Sequence, residues 1–572
     1  MSNILIEKNI MVSLRDGVRL ATDVYRPAAA GPLPVLMART PYNKEGILAD
    51  NNVFDILRAV QAGYAVAVQD VRGRYASEGE FNPQIQETAD GIDAFAWAAA
   101  QPWSNGRLGT FGGSYLGGTQ WLPARTSPPA LQAMAPSITF SDSYEGLSYQ
   151  GGAKVLHDLR WVVANIVPAE IERRIARGEE PPTAASSLDV NGALNELPLA
   201  AHPLISEYAG FYRDWLTHRT RDDYWSQSAP NAGYDRITAP ALNISGWYDI
   251  FLWSAFQNYM GMRERGGSER ARHNQRVIIG PWSHINFSGS FPEREFGPSA
   301  SSAALDLAGI HLHWFDHWLK DEVNGVEEEQ PITLFVMGID EWRHAADWPL
   351  PDTQYRAYYL HSDGEANTLR GDGALSAEMP GDEPPDVYLY NPLRPVPTAG
   401  GQVLLPGGNA IGPRDQRSVE QRDDVLVYST PPLTRPVEVI GPIELRLFVA
   451  SSAPDTDFTG KLVDVYPDGR AMILTEGILR ARYRQSFTAP ELMEPGTIYA
   501  LTLNLWATAN VFLPGHRIRL EVSSSNFPRF DRNSNTGGDL VHERAEAYRP
   551  AVNRVFHDAT HPSHLLLPII EQ

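Results

Sequence analysis

Ser114 stands between two pairs of glycines, Gly112-Gly113 before it and Gly117-Gly118 after it. The run into it, Arg107 to Phe111, reads as a strand, and a helix begins right after it. A strand that turns into a helix at a single residue forces the backbone through a strained bend, and only small neighbours let it pass. The serine hydroxyl then projects beyond the sheet, with its own helix N-terminus facing whatever it attacks. The backbone N–H of Tyr115 would be one donor to a developing oxyanion. The pattern departs from the literal G-x-S-x-G, because the second glycine is at 117 and Leu116 takes its place. On the motif alone, a glycine-rich turn with a passive serine stays open.

Such a bend needs a sheet beneath it. Val35–Ala38 and Tyr64–Gln69 are near-continuous apolar strands, while Phe54–Gln61 and Glu87–Ala100 have helical spacing. Alternating strands and helices imply a parallel sheet covered on both faces, over residues 1–140. From Ser141 to Asp235 the strands stop and the chain turns helical in tone, which marks residues 141–235 as an inserted cap. Its charged stretch Glu170–Glu180 reads as a solvated helix face, and Pro181-Pro182-Thr183 and Ala229-Pro230-Asn231 read as loops. Strands resume at Ala241–Ser245, Arg276–Ile279 and Ile332–Met337, with an amphipathic helix at Ala304–Lys320, so the sheet continues over 236–348. Beyond Pro349, short alternating runs such as Ile443–Val449 and Ile518–Ser523 are separated by Gly, Pro and Asp. That predicts an all-β sandwich or jelly roll over 349–572.

A nucleophilic serine needs a base, and the base needs a carboxylate to orient it. In the Ser, acid, His order of α/β-hydrolases, both follow later strands of the sheet. Asp249 follows the strand at Ala241–Ser245, and His284 follows the strand at Arg276–Ile279. Other histidines fit less well. His313 and His317 share a helical face, but Trp314 stands where a metalloprotease needs glutamate, and the surrounding aromatics point to packing. His218 has no strand before it, His516 lies far along the chain in the β region, and His157, in the insert, is expected on the surface, with a pocket-lining role left open.

Composition narrows the partners. The 572 residues include 48 Lys+Arg and 69 Asp+Glu, a formal net charge of −21, which repels phosphate backbones and anionic membranes. The absence of cysteine excludes disulfides, thiolate nucleophiles and cysteine-ligated metals. No apolar run approaches the ~20 residues of a membrane span, and no secretory signal is visible at Met1–Asp16. The expectation is a cytoplasmic protein acting on a small molecule, with no nucleic acid, no membrane, no metal and no cofactor.

With these residues in place, the whole chain resembles the cocaine esterase / X-Pro dipeptidyl-peptidase / α-amino acid ester hydrolase family of serine hydrolases, most nearly its cocaine esterase branch. The resemblance is carried by Arg39-Thr40-Pro41-Tyr42, Gln69-Asp70-Val71-Arg72-Gly73, Ser114-Tyr115-Leu116-Gly117, Gly246-Trp247-Tyr248-Asp249 and Gly280-Pro281-Trp282-Ser283-His284. Further along it includes Phe512-Leu513-Pro514-Gly515-His516-Arg517 and Asp531-Arg532-Asn533-Ser534-Asn535-Thr536. It implies an α/β-hydrolase fold with an inserted helical cap and a C-terminal jelly roll. It implies Ser114 as nucleophile, His284 as base, Asp249 as its carboxylate, and the Tyr42 phenol as second oxyanion donor beside the Tyr115 N–H. By position it assigns Trp161, Phe251, Leu404 and Leu405 to the acyl pocket and Asn52 to a polar substrate contact. Phe251 and Leu252 stand where α-amino acid ester hydrolases carry two carboxylates for the substrate ammonium, so an apolar or aromatic acyl group is expected. Amide hydrolysis or acyl transfer through the same acyl-enzyme, α-amino acid ester hydrolysis, a binding protein built on the jelly roll with a vestigial hydrolase, and a homodimer are the other outcomes left open.

Overall fold

The computed structural model describes residues 3–28, 31–49, 54–179, 189–405 and 411–571. A ten-stranded sheet forms the first half. Its spatial order is Ile4–Ser13, Arg19–Pro27, Ala65–Asp70, Leu33–Thr40, Ser104–Gly113, Leu131–Ser137, Leu242–Tyr248, Arg276–Ser283, Ile332–Val336 and Glu341–Ala345. The seven strands from Ala65–Asp70 to Ile332–Val336 run parallel, and antiparallel strands close both edges. Parallel strands are buried on both faces, which is why Val35–Ala38 and Ala65–Val68 carry no polar side chain.

Helices cover each face with a distinct cluster. Ile56–Gln61 and Leu307–Lys320 pack Ala59, Val60, Trp314, Phe315 and Trp318 on one side. Glu87–Ala99, Tyr115–Ala124 and Leu252–Arg265 pack Ala94, Phe95, Trp121 and Met262 on the other. The expected helix Ala304–Lys320 starts three residues later, because Asp306 caps it by accepting the Gly309 N–H at 3.2 Å.

Between Leu131–Ser137 and Leu242–Tyr248 the chain leaves the sheet. His157–Trp161 runs on through a wider turn, Val162–Ile166, into Val167–Ala176, followed by Val190–Asn195, Pro203–Tyr208, Gly210–Thr217 and Asp223–Ser226. The expectation that strands stop here is corrected in one place. Tyr149–Gln150 pairs with Ala153–Lys154 around Gly151-Gly152, whose φ values are +54° and +76°. A Cβ at Gly151 would run into the Ile478 carbonyl, and one at Gly152 into the Tyr483 ring. The Arg480 N–H donates to the Gly151 oxygen at 2.8 Å, so the hairpin seats this segment against the β region. Pro230–Arg236 forms a short 3-10 helix rather than a loop, and Pro181-Pro182-Thr183 lies outside the described residues.

From Thr353 onward the chain is β, as expected. Eleven strands pair antiparallel apart from one parallel bridge, Ala374 with Ser429. Leu445, Leu447, Val449, Leu501, Leu503, Leu520 and Val522 are fully buried between them. The same apolar cluster takes in Trp247 and Phe335 of the first sheet and Leu159 and Tyr212 of the insert. Gln402 donates to the Trp247 carbonyl at 2.8 Å, which draws the following segment, Val403 to Leu405, towards the carboxyl edge of the parallel sheet.

Candidate active site

Ser114 occupies the turn between Ser104–Gly113 and Tyr115–Ala124, at φ 59° and ψ −123°. That is strained ground for a residue with a side chain, and it is held by the neighbouring strand, whose Ser137 carbonyl accepts the Ser114 N–H at 2.9 Å. The glycines follow from crowding. A Cβ at Gly113 would lie 2.9 Å from Ile138 Cγ1, one at Gly118 2.8 Å from Phe140 Cε1, and one at Gly117 would collide with Thr139. The tightest approach after the serine is at 117, which accounts for the displaced second glycine, while Leu116 packs among apolar neighbours.

His284 and Asp249 come to the same edge from adjacent parallel strands. His284 follows Arg276–Ser283, and its Nε2 lies 3.0 Å from Ser114 Oγ. Its Nδ1 lies 3.4 Å from each Asp249 carboxylate oxygen, at the long end of hydrogen bonding, and such contacts shorten as substrate binds. Asp249 is fully buried, and its Oδ1 accepts the Phe251 N–H at 2.6 Å. Serine, imidazole and carboxylate thus stand in line, an arrangement that can take the serine proton and hold the resulting imidazolium.

Tyr42 follows Leu33–Thr40 and reaches the same point. Trp161 donates its indole N–H to the Tyr42 hydroxyl at 3.0 Å. Burial pushes the Tyr42 phenol above its ordinary pKa, so it keeps its proton as a donor. The Tyr115 side chain is committed elsewhere. It donates to Glu87 Oε1 at 2.7 Å and accepts the Gln84 N–H at 3.1 Å, and Glu87 pairs with Arg39 at 2.7 Å. Burial and the Glu87 charge hold that phenol well above its usual range. Tyr115 can serve the serine through its backbone N–H alone.

A small cavity of about 50 Å³ opens beside Ser114. Trp161, Phe251 and Leu404, assigned to the acyl pocket by position, line it together with Phe140, Ile250 and Trp215, which the sequence reading did not name. Phe140 and Ile250 sit just past the carboxyl ends of Leu131–Ser137 and Leu242–Tyr248, the same placement that singled out Asp249 and His284. Trp161 stacks on Trp215 with centroids 6.2 Å apart, and Tyr115 stacks on Trp161 at 6.1 Å. Leu405 packs into the main core beside this wall, while Leu404 joins Phe140, Ile250 and Phe251. Asn52 lies outside the described residues.

His157, expected on the surface, lines the cavity against Phe251, their rings 6.0 Å apart, and burial drives its pKa well down. His313 pairs with Glu329 at 3.0 Å, the His317 ring lies 3.0 Å from the Glu322 carbonyl, His218 pairs with Asp222 and His516 with Asp464. None of these four is beside Ser114. Among the described residues no cluster of three or more His, Asp or Glu side chains is arranged to hold a metal ion. No described helix is long and apolar enough to cross a membrane.

The chain matches the family described as X-Pro dipeptidyl-peptidase (S15 family) over residues 16–286, and the X-Pro dipeptidyl-peptidase C-terminal non-catalytic domain over residues 324–566. Cocaine esterase of Rhodococcus sp. (strain MB1 Bresler) is 44% identical over 578 residues, covering 100% of this chain and 99% of that protein. An aminopeptidase from a marine sediment archaeon, Thaumarchaeota archaeon, superposes with a TM-score of 0.83 at 26% identity, covering 100% of this chain and 97% of its own. An α-amino acid ester hydrolase shares the fold, with a TM-score of 0.83 at 24% identity over 99% of this chain and 97% of its own. The chain therefore belongs to the cocaine esterase and X-Pro dipeptidyl-peptidase (S15) family, and it is a serine hydrolase acting on ester bonds.

Proposed function

We propose that this protein is a carboxylesterase for esters with an aromatic or apolar acyl group, benzoyl esters first among them, and that it works through Ser114, His284 and Asp249. The observation that carries the reading is the 3.0 Å approach of His284 Nε2 to Ser114 Oγ at the mouth of a cavity walled by Trp161, Trp215, Phe140 and Phe251. His284 takes the Ser114 proton as Oγ attacks the ester carbonyl. Tyr42 O–H and Tyr115 N–H donate to the oxyanion where charge develops. The tetrahedral intermediate collapses, the alcohol leaves with the proton from His284, and water hydrolyses the acyl-enzyme by the same route.

Phe251 and Leu252 favour an apolar acyl group over an α-amino one, since both are buried and neither can neutralise an ammonium. Asp158 also touches the cavity, but it is already paired with Lys154 and accepts the Tyr212 hydroxyl at 2.9 Å. The division into hydrolase segments 1–140 and 236–348, cap 141–235 and jelly roll 349–572 is part of the proposal. So are a cytoplasmic location, which rests on the sequence, and a homodimer, which rests on the family resemblance.

The test is initial-rate hydrolysis of a benzoyl ester, a short aliphatic ester, an α-amino ester and an X-Pro anilide, each against a Ser114→Ala control. A preference for the benzoyl ester, lost in the control, is expected. A preference for the α-amino ester would overturn the acyl assignment.

A further inference from the structure

A second cavity also opens at Ser114. It shares Tyr42, Ser114, Trp161, His284 and Leu404 with the first, and continues over apolar side chains to Arg160 and Asn165. An ester bound with its acyl group in the aromatic cavity directs its alcohol here. Among the described residues no Asp or Glu lines this cavity. Arg160 does line it, and among the described residues its side chain has neither a hydrogen-bond nor an ion-pair partner, with its Nε buried and unsatisfied. A half-buried guanidinium without a carboxylate is costly in a fold where most arginines are paired.

The surroundings sharpen the point. Asp158, on the wall of the first cavity, is neutralised by Lys154. Arg74, itself buried, donates to three carbonyls, at 3.2 Å to Pro41, 3.5 Å to Ile166 and 3.4 Å to Asn165. Both arginine charges act on the Tyr42 phenol. On a chain of net charge −21, the alcohol side of the site is therefore a local positive field.

We propose that this cavity is a leaving-group subsite for alcohols that carry an anionic group, with the apolar wall holding the body of the alcohol and Arg160 pairing with its carboxylate. An alcohol bearing an ammonium would meet an unpaired cation there instead. The inference rests on Ser114 as the nucleophile and sets substrate class at that same site.

The experiment uses six phenyl esters: benzoate or acetate, each with a phenol bearing a carboxylate, a methyl or a trimethylammonium group. Rates are normalised to hydroxide-catalysed hydrolysis to remove leaving-group reactivity. The expected order of kcat/KM is anionic, neutral, cationic in both acyl series, with the anionic advantage shrinking as salt is added. Arg160→Gln lowers the anionic-to-neutral ratio about tenfold, chiefly through KM, and Arg160→Lys restores most of it. Equal normalised rates for the three alcohols, or an Arg160→Gln enzyme slowed by the same factor on all of them, would overturn the subsite. Faster acetyl than benzoyl turnover would overturn the acyl assignment while the leaving-group ratios are still read. No turnover of any ester would overturn both.

Discussion

The Trp161 indole N–H donates to the Tyr42 hydroxyl at 3.0 Å, so the phenol's own proton is free to turn towards Ser114. One contact joins the insert to the end of a sheet strand and, in the proposed mechanism, aims the oxyanion donor. Tyr42→Phe is expected to lower kcat by roughly 10²–10³ with little change in KM, the size typical of a lost oxyanion donor. Trp161→Phe keeps an aromatic wall but releases the phenol, and should lower kcat by about tenfold. Steady-state kinetics on a benzoyl ester checks both. A Tyr42→Phe enzyme with unchanged kcat would remove Tyr42 from the oxyanion site.

Phe251 lies between the acyl cavity and His284, with the two rings 5.6 Å apart. Phe251→Ala removes aromatic wall and should reduce kcat/KM for a benzoyl ester about tenfold or more while affecting an acetyl ester less, since the lost contact is to the acyl ring. Equal losses on the two esters would mean that Phe251 acts on His284 and not on substrate.

Gly117→Ala places a methyl group against the β-branched side chain of Thr139. Overpacking of this kind costs about 1–3 kcal/mol, and here it also displaces the serine. Thermal denaturation should show a lower Tm and kinetics a loss of kcat. Retention of both would mean that the turn has room the structure does not show.

Glu521 is buried beside Glu420, with Lys461 3.7 Å away and Arg519 paired to Glu420 at 2.8 Å. Burial, with the Glu420 charge adding to it, pushes its carboxyl up to about 8. The folded protein then holds a proton that the unfolded chain has released above about 4.5. Because the native state binds more protons in that window, this group makes stability fall as pH rises from about 5 to 8. Glu521→Gln should flatten that slope and raise Tm relative to the parent at pH 9. Parallel Tm curves for the two proteins would show that Glu521 is ionised throughout.

Much of this was legible before the fold was known, for a definite physical reason. Ser114, Asp249 and His284 each stand directly after a strand of the parallel sheet, and parallel sheets put those strand ends on one edge. Phe140 and Ile250 follow the same rule but were passed over, because an apolar residue after a strand reads equally well as core. The cavity wall from the insert was hidden for another reason. Trp215 and His157 face Ser114 only because the insert folds back over the sheet, and no local pattern encodes that long-range docking. The Gly151-Gly152 hairpin was missed because two-residue strands leave no periodicity, although paired glycines in an otherwise helical segment were a signal. Leu404 and Leu405 show the limit of positional carry-over, since neighbouring side chains diverge and only Leu404 meets the cavity.

The central claim is that Ser114 is acylated by an aromatic ester. The most direct measurement is mass spectrometry of the enzyme quenched during turnover of 4-nitrophenyl benzoate, alongside the burst of released nitrophenol. The account predicts a burst stoichiometric with enzyme and a benzoyl adduct on the peptide containing Ser114, with both absent in Ser114→Ala. A benzoyl adduct on another residue, or undiminished turnover by Ser114→Ala, would contradict it.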